Sequence, residues 1–227
     1  MRIPSALPLK HWLESLGVSL YESLTRNDPV EPADLIFVMA GRMDRKEYGL
    51  ELYRSGLAPR LVLSVGRFEV SKMLLLNARQ HEKLKALRDN TRPADRHFFV
   101  TMDDTGVRME QASLLRWNTY GEACGLRERL KSELVETIMV ISTDVHLRRV
   151  ALTFAKVFRD VPVRFVYCAV PPRFDFLDKD NWWRDPDDRR FVIKEFFKLA
   201  AYRVVLSLPR GAVRKMMQWK LRSSGSR

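Results

Sequence analysis

The segment Ser142-Thr143-Asp144-Val145-His146-Leu147-Arg148-Arg149 gathers residue types that do acid–base and anion chemistry. Ser, Thr and Asp are good helix caps, and a helix that starts there turns free backbone N–H groups toward an anion. His146 and Arg149, three apart, share one helix face. The imidazole can move protons and the guanidinium carries a fixed positive charge. Together the set suits a phosphate or a carboxylate. Three further clusters have similar character: Gly41-Arg42 followed by Arg45, then Ser64-Val65-Gly66 followed by Glu69, then Asn118-Thr119 followed by Glu122. Each has a plainer reading beside it. Ser142, Thr143 and Asp144 can be simple caps, His146 a structural histidine, Arg148 and Arg149 surface charges, and Asn118–Glu122 a turn.

The elements that must position these residues alternate. Short continuous apolar runs at 35–40, 61–65, 97–101, 137–141 and 163–167 suit strands buried on both faces of a parallel sheet. Helical spacing lies before and between them, at 6–27, 44–55, 69–88, 108–131, 144–158 and 188–208. In the last of these, Ile193, Phe196, Phe197, Ala200, Val204 and Leu208 are the expected inward face. Gly56 is placed to end the helix over 44–55. The pattern predicts an α/β, Rossmann-like three-layer sandwich, with a mostly parallel sheet of five or more strands. In such folds the ligand crevice lies outside the carboxyl ends of the strands, which is where the polar clusters fall. The chain divides into an N-terminal helical extension (1–32), this domain (33–208) and a basic tail (209–227).

Composition narrows the function. With 46% hydrophobic and 30% charged residues, the chain reads as an ordinary globular protein. It holds no apolar run long enough to span a bilayer, and residues 1–12 do not read as a signal peptide. Cys124 and Cys168 match no metal spacing, so a reducing compartment is expected and the cytoplasm is the expected location. Of the net charge of +12, +10 falls between Arg189 and Arg227. That end could meet anionic lipid or simply be solvated. In 209–222, Val213, Met216, Met217 and Leu221 can form one side of a short helix, with Trp219 as an interfacial aromatic. Nucleic acid has only charge in its favour, since no nucleic-acid-binding motif is present.

Taken in order, these motifs resemble the DUF218 (YdcF-like) family, whose relatives include the envelope proteins SanA and ElyC. The resemblance rests on Ala33–Gly41, on Arg45 with Leu52-Tyr53-Arg54-Ser55-Gly56, and on Ser64-Val65-Gly66 with Glu69. Asn118-Thr119-Tyr120-Gly121-Glu122-Ala123 and the His146-x-x-Arg149 element complete it. It spans roughly residues 33–206. Single glycines stand where the family has two or three, Val65 stands in a usual glycine position, and the longer segment 104–117 is expected to form a lid. The resemblance implies a polar pocket built from these motifs and a link to envelope or polyprenyl-carrier metabolism. It leaves S-adenosylmethionine and Mg²⁺ open as cofactors.

Two readings of function follow. In the first, the protein binds or transforms an anionic, phosphorylated or nucleotide-like small molecule. His146 is the general acid or base, and Glu69 or Glu122 orients it or binds a sugar hydroxyl. Gly41, Arg42, Arg45, Ser64, Gly66, Asn118, Thr119, Ser142, Thr143 and Arg149 bind the ligand. The chain lacks a Gly-x-Ser-x-Gly elbow, which argues against an activated nucleophile. Its four scattered histidines argue against a dinuclear metal site. In the second reading the protein is a non-catalytic binder that contacts a membrane surface through 209–227. The aromatic stretch 175–188, with Trp182 and Trp183, is expected to cover the pocket mouth.

Overall fold

Each of the five apolar runs forms a strand. The structure is a computed structural model and describes residues 7–66, 69–70, 78–112, 118–174, 177–209, 211–213 and 215. The strands are β1 (Leu35–Val38), β2 (Leu61–Gly66), β3 (His97–Asp103), β4 (Gly106–Gln111), β5 (Thr137–Ser142) and β6 (Arg164–Ala169). They make one sheet in the order β4-β3-β2-β1-β5-β6. β2, β1, β5 and β6 are parallel, while β3 and β4 run antiparallel to their neighbours. The helices are α1 (Leu7–Leu24), α2 (Met43–Arg54), α3 (Ala78–Asp89), α4 (Asn118–Arg129), α5 (Asp144–Val157) and α6 (Pro186–Ser207).

Two cores sandwich the sheet. On one side Phe37, Val62, Phe99 and Val140 meet apolar residues of α4, α5 and α6. On the other, Ile36, Val38, Leu63 and Ile141 meet Tyr48 and Leu52 of α2. Gly49 permits this second contact, because a Cβ there would lie 2.4 Å from Val38 Cγ2. Gly56 ends α2 as expected, with φ +76° and Leu57 N–H donating back to Leu52 O at 3.3 Å, the pattern of a glycine C-cap. Asn27 and Asp28, just after α1, bond to the free edge of β6 at Ala169 and Tyr167, so that edge is not left open for pairing. No helix among the described residues is long and apolar enough to cross a membrane.

The structure corrects several expectations. Of the helix expected over 108–131 the structure describes a helix over Asn118–Arg129, and within the expected lid Gly106–Gln111 form edge strand β4 instead. The turn between β3 and β4 is made by the Asp103 carboxylate, which accepts from Thr105 N–H at 3.0 Å, and by Gly106 at φ +116°. The inward face of α6 is Val192, Glu195, Leu199, Tyr202 and Leu206, not the stripe through Ile193 and Phe197. Both faces of that helix are apolar, so spacing alone could not choose between them. Trp182 is buried against α1 and donates to Gly17 O at 3.2 Å. It therefore anchors the N-terminal helix instead of capping a pocket. Val213, expected on a lipid-facing side, is wholly buried in the core. Met73 and Leu76 of the helix expected over 69–88, and Met216, Met217, Trp219 and Leu221 of the tail, lie outside the described residues.

Candidate functional site

The order in which parallel strands are added reverses at β1. From its carboxyl end the chain passes through α2 to β2 on one side, while β5 lies on the other. This is the switch point at which doubly wound sheets open a crevice. Gly41 follows β1, Ser64 and Gly66 close β2, and Ser142 and Thr143 end β5. Their side chains and those of the following helices form one continuous buried polar network.

Arg45 is its centre. The side chain leaves the first turn of α2 and donates from Nη1 to Ala40 O at 2.5 Å and from Nη2 to Thr143 Oγ1 at 3.0 Å, so it bridges the ends of β1 and β5. It is buried, yet it forms no ion pair among the described residues, and its Nε has no hydrogen-bond partner. Burial lowers its pKa from the usual arginine value. Gly41 is exposed and lies directly over the guanidinium. A Cβ at Gly41 would be 2.8 Å from Nη1, and its φ of +132° is itself unfavourable for other residues. Glycine here thus leaves only backbone between solvent and a buried cation.

The β5 side holds the histidine. His146 Nδ1 is 2.7 Å from Ser142 Oγ and Nε2 is 3.2 Å from Thr119 Oγ1, so both ring nitrogens are engaged. Burial first, then the charges of Arg149, Arg45 and Lys198, hold its pKa well below the usual value, and the ring is neutral at pH 7. Thr143 occupies the N-cap position of α5 but makes no capping bond, because its hydroxyl accepts from Arg45 instead. Arg149 donates to Thr119 Oγ1, and through Nη2 to Glu195 Oε2 at 2.7 Å. Burial works to raise the Glu195 pKa, but Arg149 and Lys198 together hold it low.

The β2 side is closed on itself. Glu122 Oε1 accepts from Ala40 N–H at 2.9 Å and from Ser64 Oγ at 2.7 Å, and burial pushes its carboxyl up. Ser64 Oγ also lies 2.7 Å from His97 Nε2. Glu69 accepts from Gly66 N–H at 2.8 Å and pairs with Lys46, whose Nζ also donates to Met39 O at 3.1 Å.

The network thus gathers Gly41, Arg45, Ser64, Gly66, Glu69, Thr119, Glu122, Ser142, Thr143, His146 and Arg149. Three expected roles change. Neither Glu69 nor Glu122 orients His146; Ser142 and Thr119 do. Arg149 is committed to Glu195, so it is not an open anion ligand. Arg42 is turned to Asp44, with Nε donating at 2.6 Å, and is partly exposed. Asn118 begins α4, but its side chain lies outside the described residues. Sequence reading missed Lys46, His97 and Glu195. Each was legible only as an ordinary surface charge or strand residue. Among the described residues no group of three metal-ligating side chains comes together.

Fold and site therefore define a class: a doubly wound α/β protein with a buried, cation-centred polar network at its switch point. Beyond that class, comparison with known proteins adds nothing, since no family model, curated protein or solved structure matches the chain.

Proposed function

We propose that the protein binds an anionic, phosphorylated small molecule over Gly41 and Arg45, with His146 serving as a base toward it. One observation carries this reading: Arg45 is a buried guanidinium bonded only to neutral oxygens, with its Nε unsatisfied. Among the described residues Glu122 and Asp44 act on it only from beyond ion-pair distance; burying a charge without a directly bonded counter-charge is costly, and such sites mark function more often than chance. An anion seated above Gly41 would supply the missing partner. A guanidinium suits phosphate oxygens well.

The state of His146 fixes its part. A neutral imidazole accepts a proton, so it enters as a base. Part of what depresses it is the positive charge of Arg149 and Arg45. An anion seated at Arg45 offsets part of that charge and raises the His146 pKa. Ligand arrival therefore strengthens the base.

The test is titration calorimetry of the protein with inorganic phosphate, and with any ligand that mass spectrometry finds copurified. Binding by the parent, lost in Arg45→Met and retained in His146→Ala, is the expected result. Undiminished binding by a folded Arg45→Met variant overturns the proposal.

A further inference from the structure

α6 presents two apolar faces, and among the described residues only one is buried. Glu195, Leu199 and Tyr202 turn inward, where Glu195 holds Arg149. On the opposite side Ile193, Phe196, Phe197, Ala200, Val204 and Leu208 are all exposed, with Phe197 at 66% and Val204 at 70%. At 100° per residue these six fall within one stripe that runs about 22 Å along the helix. Scattered exposed apolar residues need no explanation, but a contiguous row of large ones marks a contact surface. Phe196 and Phe197 are also in ring contact, with centroids 6.0 Å apart.

Charge identifies the occupant. Lys194 and Lys198, the latter paired with Glu195, border the stripe on one side and Arg203 on the other, with Arg189 and Arg190 at its start, all exposed. The acids of the helix are Asp187 and Asp188 in its first turn and the buried Glu195. Two copies meeting face to face would oppose these cationic borders. A surface that is apolar inside and anionic at its rim complements them. We infer that α6 lies along an anionic lipid surface, with the Phe197–Val204 stripe in the acyl boundary and the lysine and arginine borders at the headgroups. This contact is built on the folded domain and does not require the tail beyond 209. It also brings the helix that carries Glu195, and so the Arg149 side of the site, to the membrane.

The test is flotation of the full chain with vesicles of phosphatidylcholine alone and of phosphatidylcholine mixed with phosphatidylglycerol. The parent is expected to float only with the mixed vesicles. Phe197→Asp/Val204→Asp, shown to be folded by an unchanged thermal transition, is expected to partition at least about tenfold less. Lys220→Gln/Arg222→Gln/Arg227→Gln is expected to keep most of the binding. Three outcomes overturn the inference. The first is a parent that fails to float with mixed vesicles. The second is binding that survives the α6 variant and is lost with the tail variant, which assigns it to the tail. The third is a parent dimer in sedimentation that the α6 variant dissociates, which assigns the stripe to a second copy.

Discussion

Arg45 and Lys46 are neighbours in sequence, both buried at the start of α2, and their surroundings differ. Lys46 turns toward the end of β2, pairs with Glu69 and donates to Met39 O. Arg45 turns toward the ends of β1 and β5 and finds only a carbonyl and a hydroxyl. On the β2 side each carboxylate has hydrogen-bond donors, and Lys46 has a bonded counter-charge. On the β1–β5 side Arg45 has none within ion-pair distance among the described residues, and Glu122 and Asp44 act on it only from further away. A completed buried pair fixes backbone, here the turn after β2 through Gly66 and Glu69. Under the proposed function a ligand completes the other, and the contrast separates scaffold from binding surface within one polar network.

The largest expected effect tests the scaffold half. Lys46→Met strands the Glu69 carboxylate, so unfolding free energy is expected to fall by about 3–5 kcal/mol. Lys46→Met/Glu69→Gln, which keeps an acceptor for Gly66 N–H, is expected to recover most of that loss in denaturant titrations. Equal loss in the single and double variants would mean that the pair does not hold the turn.

Acid tests both halves. Burial, offset in part by Glu69, lowers the His97 pKa to about 4. In the unfolded chain the ring titrates near its ordinary value of about 6.5. Between those values the unfolded state binds the proton and the folded state does not, so stability rises with pH across that window. On acidification from neutrality the protein is expected to lose about 3 kcal/mol from this group as pH falls toward 4, and His146 acts in the same direction. His97→Gln keeps a donor toward Ser64 Oγ and is expected to flatten the slope of stability against pH. An unchanged slope would show that His97 does not titrate as its burial requires.

Much of this arrangement was legible in the sequence, and the gaps have physical causes. Four parallel strands were visible because strands buried on both faces read as unbroken apolar runs. The polar clusters were visible because such sheets gather ligand groups at their carboxyl ends. β4 was hidden because Val107-Arg108-Met109-Glu110 belongs to an edge strand, half exposed and alternating with charge. His97 was missed for a topological reason. On a parallel β3 its first residue would sit at the far end of the sheet. The antiparallel pairing sets His97 opposite Gly66, beside the site. Lys46 and Glu195 were hidden because single charges on helices are usually solvated, and their partners lie 23 and 46 residues away.

The smallest expected stability effect is the sharpest test of the contrast. Arg45→Met removes two hydrogen bonds to neutral acceptors, worth about 1 kcal/mol each. It also removes a buried charge that has no counter-charge within ion-pair distance. The two contributions oppose each other, so the variant is expected to unfold within about 1 kcal/mol of the parent, in either direction. A ligand that binds only the folded state raises stability with its concentration. The parent transition is therefore expected to climb with added phosphate while that of Arg45→Met stays fixed. A loss approaching that of Lys46→Met, with phosphate raising both transitions equally, would place Arg45 in the scaffold beside Lys46 and erase the distinction between the two halves.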